Sequence, residues 1–280
     1  MRFGLSSQNF GTYGDPRLLA DLARDAEAAG WDGFFVWDHL LRGETRVADP
    51  WISLAAIATA TERLRIGTMV TPLSRRRPWQ VARQATTLDH LSAGRVTLGV
   101  GLGSSAQMEF APFGEETNDR RRAEILDESL DIVTRLWSGE TLDRDGTYRL
   151  RGVRSLPPPV QRPRIPIWVA GNWPNRGPLR RAARYEGVFP QRIPTDPVDW
   201  MLTPDEIRGI VAVVKELRGS SDAPFDVAVA LSDEGDRRRR ADMIEEYADA
   251  GVTWWMEGVL DDVGPLEEVR TIIRNGAQGG

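Results

Sequence analysis

Residues 33–37, Gly-Phe-Phe-Val-Trp, form a continuous apolar run that predicts a strand buried on both faces of a parallel sheet. Further apolar runs begin near residues 2, 65 and 96, so the first four predicted strands start 31, 32 and 31 residues apart. Helices with i, i+3, i+4 apolar spacing fill the intervals, and the first begins at Asp15-Pro16 and ends at Gly30. A regular βα unit of this length predicts parallel strands joined by crossover helices.

The βα alternation is interrupted once and then resumes. A predicted helix over about 119–137 precedes an excursion over about 138–166, with a hairpin at Asp145-Gly146 and extended chain at the prolines 157–159. The remaining strands are predicted at 167–170, 187–189, 226–231 and 253–257. Eight units predict an α/β fold: one (β/α)8 TIM barrel domain over residues 1–280, with the excursion outside the barrel between strands 4 and 5. An open doubly wound sheet is the alternative.

The composition excludes several kinds of site. Hydrophobic residues make up 41% of the chain and charged residues 28%, as in ordinary globular proteins. The absence of cysteine excludes disulfides and thiolate chemistry, and two histidines, His39 and His90, argue against a metal site. The net charge of −5 argues against nucleic acid as a partner. Neither a membrane span nor a signal peptide is predicted, so we expect a cytoplasmic protein.

Candidate functional residues follow the predicted strands, because the chemistry of a TIM barrel lies at the carboxyl ends of its strands. They are glycines that let a ligand approach the backbone, tryptophans that suit a flat ring, an Asp-His pair, and a helix start that suits a phosphate. This combination predicts a phosphorylated aromatic cofactor. The candidates are Asn9, Trp37, Asp38, His39, Gly101, Gly103, Ser104, Gly171, Asn172, Arg176, Gly177, Trp254 and Glu257.

Other features have structural interpretations. His90 lies at a predicted helix end on the opposite face of the barrel, where a structural role is expected. Trp254 and Trp255 point to opposite faces of a strand, so at most one of them enters the barrel. The arginine runs at 75–77, 120–122 and 237–240 are interpreted as solvated charge on loops and helix starts.

Five stretches of the chain resemble the luciferase-like monooxygenases, the flavin and deazaflavin enzymes related to bacterial luciferase. The most specific stretch is 87–103, Thr-Leu-Asp-His-Leu-Ser-Ala-Gly-Arg running to Gly-Val-Gly-Leu-Gly. The stretches occur in the family's order over about residues 1–187. They are 27–39, 61–68, 77–84, 87–103 and 159–171.

The resemblance implies a barrel that binds reduced FMN or the deazaflavin coenzyme F-420. It implies a non-proline cis peptide at Met69-Val70 against the isoalloxazine ring, with the glycines after strand 4 and the loop 171–177 near the ribityl phosphate. His39 is the candidate acid/base, because its unperturbed pKa lies near neutrality, and Asp38 would orient it or bond the ring. No metal is expected.

The sequence departs from the family at three places. Ser104 replaces a glutamate of some sugar-phosphate-oxidising deazaflavin members, which speaks against that substrate. The loop after strand 5 is expanded by residues 172–176, and only about fifteen residues join strand 6 to the next helix. Oxygen insertion with FMN and hydride transfer with a deazaflavin both stay open.

Alternatives and partners complete the predictions. A non-catalytic flavin-binding barrel is one alternative, and a metal-free hydrolase using Asp38 and Glu257 is another. The expected partners are a small organic substrate and, as a candidate, a separate flavin or deazaflavin reductase. The helix over 51–60 is apolar on nearly all sides, as expected for a helix buried between subunits and equally for a core helix under the excursion. With the family resemblance, we expect a homodimer.

Overall fold

The computed structural model describes residues 1–104, 106–192, 201–231 and 237–277. The strands are β1 (Arg2–Ser7), β2 (Gly33–Val36), β3 (Arg65–Pro72), β4 (Val96–Gly101), β5 (Leu142–Arg144), β6 (Leu150–Val153), β7 (Ile167–Trp173), β8 (Gly187–Arg192), β9 (Asp226–Ala230) and β10 (Trp254–Val259). The helices are α1 (Pro16–Ala28), α2 (Pro50–Ala60), α3 (Pro78–Leu91), α4 (Ala106–Glu109), α5 (Asp119–Ser138), α6 (Arg176–Ala182), α7 (Pro204–Arg218), α8 (Arg237–Asp249) and α9 (Leu266–Asn275).

Eight parallel strands close into a barrel in the order β1-β10-β9-β8-β7-β4-β3-β2. Because β1 pairs with both β2 and β10, the sheet has no edge, and the doubly wound alternative is excluded. Strands β5 and β6 form a separate antiparallel hairpin between β4 and β7. The predicted barrel and the excursion outside it are therefore confirmed, while a single domain over 1–280 stays a prediction.

N-terminal capping residues mark where helices begin after the barrel strands. The Asp15 carboxylate caps α1 by accepting from the Arg17 amide, and Pro16 occupies the first turn. Thr203 and Glu206 form a capping box at the start of α7. No helix in the described parts of the chain has the length and apolarity that a bilayer crossing requires.

Two neighbouring strands, β7 and β8, each extend three residues beyond their predicted ends. Strand β7 continues to Trp173 and β8 to Arg192, because Asn172 pairs with Gln191 and Trp173 with Arg192 in parallel register. Residues 171–173, predicted as a loop, are thus the last residues of a barrel strand. Their pairing with the neighbouring strand β8 makes them part of the sheet, although their residue types favour a loop.

An apolar cluster, which we call the inner cluster, fills the barrel interior. Its members alternate along the strands with residues that face the helices: Phe35 faces inward between Phe34 and Val36, and Trp254 faces inward whereas Trp255 packs outward. The opposite orientation of the two tryptophans is confirmed. The inner cluster consists of Phe35, Met69, Trp168, Phe189, Ala228, Trp254 and Met256.

The excursion is fastened to the barrel through the end of α3. The buried Asp89 carboxylate accepts hydrogen bonds from the amides of Val160 and Gln161, and from the Gln161 side chain at 2.7 Å. His90 Nε2 lies 2.8 Å from the Pro158 carbonyl oxygen. The structural role expected for His90 agrees with this contact.

Candidate active site

A cavity of about 1340 Å³ lies at the carboxyl ends of the barrel strands and has the upper members of the inner cluster as its floor. We call it the main cavity. Its size exceeds that of a typical small-molecule site, so a cofactor and a substrate fit together. Many of the predicted residues line it: Trp37, Asp38, His39, Met69, Val70, Gly101, Gly103, Ser104, Gly171, Asn172 and Glu257.

One wall of the main cavity is the peptide bond between Met69 and Val70, which is cis, as the resemblance implied. Glycines of β4 and the following turn lie against this wall. A Cβ atom on Gly101 would come 2.9 Å from Val70 Cγ2, and one on Gly103, at φ +85°, would come 2.9 Å from Pro72 Cβ. A larger residue at either position would collide with this wall. Glycine therefore leaves the space beside the wall open to a flat ring.

His39 lines the main cavity and is held by Glu109. Its Nδ1 lies 2.8 Å from Glu109 Oε1, and the same carboxylate accepts from the Leu40 amide and from Arg75 Nη1 at 2.9 Å. Burial opposes ionisation of Glu109, but the hydrogen bonds of His39 and Leu40 and the charge of Arg75 keep its pKa below the usual value. An ionised Glu109 leaves the hydrogen of His39 on Nδ1, so Nε2 is the ring atom available for proton exchange.

Asp38 does not orient His39, which corrects the predicted Asp-His pair. Its side chain is fully buried, and its carboxylate accepts from Thr71 Oγ1 at 2.9 Å and from both Nε and Nη2 of Arg76. Arg75 Nη2 adds a bond at 3.3 Å. The side chains of these two adjacent residues point in different directions. His39 therefore pairs with a carboxylate from a distant segment, whereas Asp38 binds two arginines. We call Asp38, His39, Arg75, Arg76 and Glu109 the charge network.

Asn9 was predicted to line the substrate pocket but acts on the backbone instead. Its side chain is fully buried, and Nδ2 donates to the carbonyl oxygens of His39 and Ala48 at 2.9 and 2.7 Å. Its Oδ1 accepts from the His39 amide. Asn9 therefore fixes the chain that carries His39 and does not face the cavity.

Three further predicted residues lie away from the lining of the main cavity. Trp254 is buried in the inner cluster, because it is the first residue of β10 and so lies low in the barrel. Arg176 points outward and pairs with Glu216 at 3.1 Å, and its neighbour Gly177 also lies outside the lining. The cause is the added length of β7, which moves the cavity-lining positions in this segment to Gly171, Asn172, Asn175, Pro178 and Arg181.

The interpretation of the three arginine runs as solvated charge was wrong for part of each run. Arg75 and Arg122 are almost fully buried, and both line the main cavity together with Arg240. Arg122 donates to the Leu102 carbonyl oxygen, and Arg240 pairs with Glu257. One signal was available: each run lies in the loop or the first helical turn that comes after a barrel strand, on the side where chemistry occurs.

Glu109 is the functional candidate that sequence reasoning missed. It belongs to α4, a helix of four residues that is too short for a periodic apolar signal. It also weakens the argument made from Ser104, because the carboxylate missing at that position is supplied five residues later. In the described residues, no group of three or more His, Asp or Glu side chains could hold a metal ion.

Comparisons with known proteins identify the family of the chain. The family model of luciferase-like monooxygenases matches residues 1–250. An F420-dependent glucose-6-phosphate dehydrogenase from Beutenbergia cavernae is 39% identical over 169 residues, which cover 57% of this chain and 48% of that protein. A 4-hydroxyprotoasukamycin monooxygenase from Streptomyces nodosus subsp. asukaensis is 39% identical over 133 residues, 45% of this chain and 34% of that protein. The chain thus spans half or less of the length of these relatives.

Among solved structures, an F420-dependent secondary alcohol dehydrogenase in complex with an F420-acetone adduct superposes with a TM-score of 0.80. The superposition covers 99% of this chain and 98% of that one at 16% identity, so it supports the barrel fold alone. Family membership rests on the sequence match over most of the chain. The chain therefore belongs to the luciferase-like monooxygenase family.

Proposed function

We propose that this protein is an oxidoreductase that uses a deazaflavin or FMN and acts on a small organic substrate. The observation that carries the proposal is His39, which is held by Glu109 and lines the same cavity as the cis peptide Met69–Val70. A histidine held by an ionised carboxylate beside a flat apolar wall suits proton exchange next to a ring-shaped redox cofactor. The F420-dependent dehydrogenase and the monooxygenase among the relatives support the same class of reaction.

The residues of the main cavity fit such a cofactor. The backbone at Gly101 and Gly103 leaves space that a Cβ would fill, next to Val70. Ser104 and Asn172, which also line the main cavity, supply hydrogen-bonding groups. Arg181 lines it as well, but its Nε and Nη2 bind Asp127 at 2.7 Å, so Nη1 is the nitrogen left for a phosphate. A bound deazaflavin would supply hydride transfer, and bound reduced FMN would supply electrons to oxygen.

The chain itself would hold and move the proton. Glu109 fixes His39 with Nδ1 as the donor, so that Nε2 takes a proton from a substrate hydroxyl or returns one to it. Arg75 donates to both Glu109 and Asp38, so one buried guanidinium group pairs with two buried carboxylates. Asn9 holds the His39 backbone, so the ring has a defined position before substrate binds.

The charge network argues against the two alternatives. Hydrolysis would need a carboxylate pair, but Asp38 is bound to two arginines and Glu257 is bound to Arg240. A non-catalytic flavin-binding barrel would not need an oriented histidine in its cavity. Oxygen insertion with FMN is the second candidate, favoured by the 39% identity to a monooxygenase.

The test begins with anaerobic calorimetric titration of the cofactor-free protein with oxidised and reduced deazaflavin and with FMN. The preferred cofactor is then used with secondary alcohols and hexose phosphates, and turnover is followed by the absorbance of the cofactor. We expect tight binding of one cofactor. Binding of neither would reject the proposed function.

Histidine variants separate the proposed role from general effects. His39→Ala is expected to keep cofactor binding and to lose at least about tenfold in turnover. The matched control is His90→Ala, which changes the chain's other histidine on the opposite side of the barrel. Unchanged turnover in His39→Ala would remove this residue from the mechanism.

We also propose that the protein forms a homodimer through α2. This helix contains no charged residue, and its Ile52 side chain is 65% exposed. Light scattering at micromolar concentration should give twice the chain mass, and Ile52→Glu should give monomers. A separate reductase partner and a cytoplasmic location remain predictions that accompany this function.

A further inference from the structure

A second cavity, of about 910 Å³, lies outside the barrel between α3, α5 and the β5–β6 hairpin. We call it the exterior cavity. It does not include the cis peptide, His39 or the glycines of the main cavity. The side chains on which the argument depends are Arg77, Trp79, Arg83, Glu115, Tyr148 and Arg154.

The two cavities share a wall of two arginines. Arg75 lines both, and Arg76 lines the exterior cavity while two of its nitrogens bind Asp38. The Arg75 side chain is 1% exposed, and its Nε is buried without a hydrogen-bond partner among the described residues. Arg75 and Arg76 therefore place positive charge at the inner wall of the exterior cavity.

An aromatic pair forms one side of the exterior cavity. The rings of Trp79 and Tyr148 meet edge to face at 5.6 Å, and the Arg77 guanidinium lies 5.9 Å from the Trp79 ring. Trp79 is only partly buried, so part of its indole surface faces the cavity. Such a surface suits stacking of a flat ring.

The charges of the exterior cavity favour an anion that also carries hydrogen-bond donors. Arg77, Arg83 and Arg154 are exposed and form no ion pair with the described residues. Glu115 Oε2 is buried without a partner in this part of the chain, and burial raises the pKa of this carboxyl group. The carboxyl group of Glu115 lines the exterior cavity, where it can accept from an amino or hydroxyl donor of a ligand.

We propose that the exterior cavity binds a nucleoside monophosphate. The base stacks on Trp79, the phosphate binds among Arg77, Arg83 and Arg154, and an amino group of the base or a ribose hydroxyl donates to Glu115. A ligand with an aromatic ring, a phosphate and several donors uses each feature of the cavity. This proposal does not depend on the redox function, since none of these six residues lines the main cavity.

The test is calorimetric titration of the cofactor-free full chain with adenosine 5′-monophosphate, and separately with adenosine and with inorganic phosphate. We expect one site per chain for the monophosphate and weaker binding of each part alone. Trp79→Leu should weaken binding about tenfold, which is within the usual value of base–aromatic stacking. The double variant Arg83→Gln/Arg154→Gln should lose most of the binding. Each arginine also donates to one backbone carbonyl oxygen, so thermal unfolding of the variant checks that the fold is kept.

The control variants carry the same types of substitution at residues of the main cavity. Trp37→Leu and Arg42→Gln alter an aromatic and an arginine that line only that cavity, and they should leave binding of the monophosphate unchanged. Absence of binding at millimolar monophosphate would overturn the proposal. A loss of binding in the controls together with retention in the exterior-cavity variants would also overturn it.

Discussion

The inner cluster and the charge network are in adjacent layers of the same barrel, yet they are built in opposite ways. The inner cluster is apolar, with Phe35 stacked on Trp168 at 5.2 Å and Trp254 against both rings. The charge network above it joins two carboxylates, two arginines and a histidine, most of them almost fully buried. One layer excludes polar groups and the other depends on pairing them.

The difference shows what each layer contributes. In the inner cluster the indole nitrogens of Trp168 and Trp254 have no hydrogen-bond partner among the described residues, so packing determines this layer. In the charge network, Asp38 and Glu109 pair with arginines. This pairing offsets the cost of removing the charges from water, but it adds no large net gain in stability. We infer that the inner cluster stabilises the barrel and that the charge network defines the geometry around His39.

The largest effect is expected from Asp38→Ala. The substitution leaves Arg75 and Arg76 buried without their shared carboxylate, and breaking a buried pair in this way costs about 3–5 kcal/mol. Urea unfolding measures the change in the free energy of unfolding. A loss below about 1 kcal/mol would mean that water reaches the network and that it is not a buried charge cluster.

Glu109→Gln tests the function of the charge network. The amide keeps the size of the side chain but cannot hold a proton on His39 Nδ1 as an ionised carboxylate does. We expect turnover to fall about ten- to hundredfold with unchanged cofactor affinity. A parallel loss of cofactor affinity would show instead that Glu109 shapes the main cavity.

The same variant should change the response to acid. The folded pKa of Glu109 lies below its ordinary value of 4.5, so its ionised form stabilises the protein above that pH. This contribution is lost as the pH falls from about 4.5 through the lowered pKa. Thermal unfolding between neutral and acid pH should therefore be less pH-dependent in Glu109→Gln than in the wild type. Glu44→Gln, at an exposed position, is the control and should retain the wild-type slope.

Phe35→Leu tests the inner cluster. Leucine keeps an apolar side chain but loses the stacked contact with Trp168, which should cost about 1–2 kcal/mol. The pH dependence of stability should stay as in the wild type, because no titratable group is altered. A changed acid response would show that the two layers are coupled.

The smallest effect is expected from Asp21→Ala, which removes a surface ion pair with Arg24. Both side chains are about half exposed, so the change in the free energy of unfolding should be within about 0.5 kcal/mol. Thermal unfolding in low salt is the measurement. A loss of stability close to that of Asp38→Ala would contradict the view that a broken ion pair is costly because it is buried.

Most of the fold could be predicted from the sequence, because strands, helices and helix caps depend on residues that are neighbours in the chain. The interval of 31–32 residues, the apolar run 33–37 and the helix start at Asp15-Pro16 predicted elements that the structure confirms. Closure of the barrel followed from counting eight units. The ends of β7 and β8 were predicted too early, because pairing between strands extends them.

For the candidate site, the sequence by itself determined which segments reach the main cavity, since the carboxyl ends of parallel strands meet at one end of a barrel. Only the tertiary structure decided which side chains contact one another there. His39 pairs with Glu109, 70 residues away, and not with its neighbour Asp38, which binds Arg75 and Arg76. The physical reason is that burial of charge depends on partners from several segments in three dimensions, whereas sequence patterns report only local geometry.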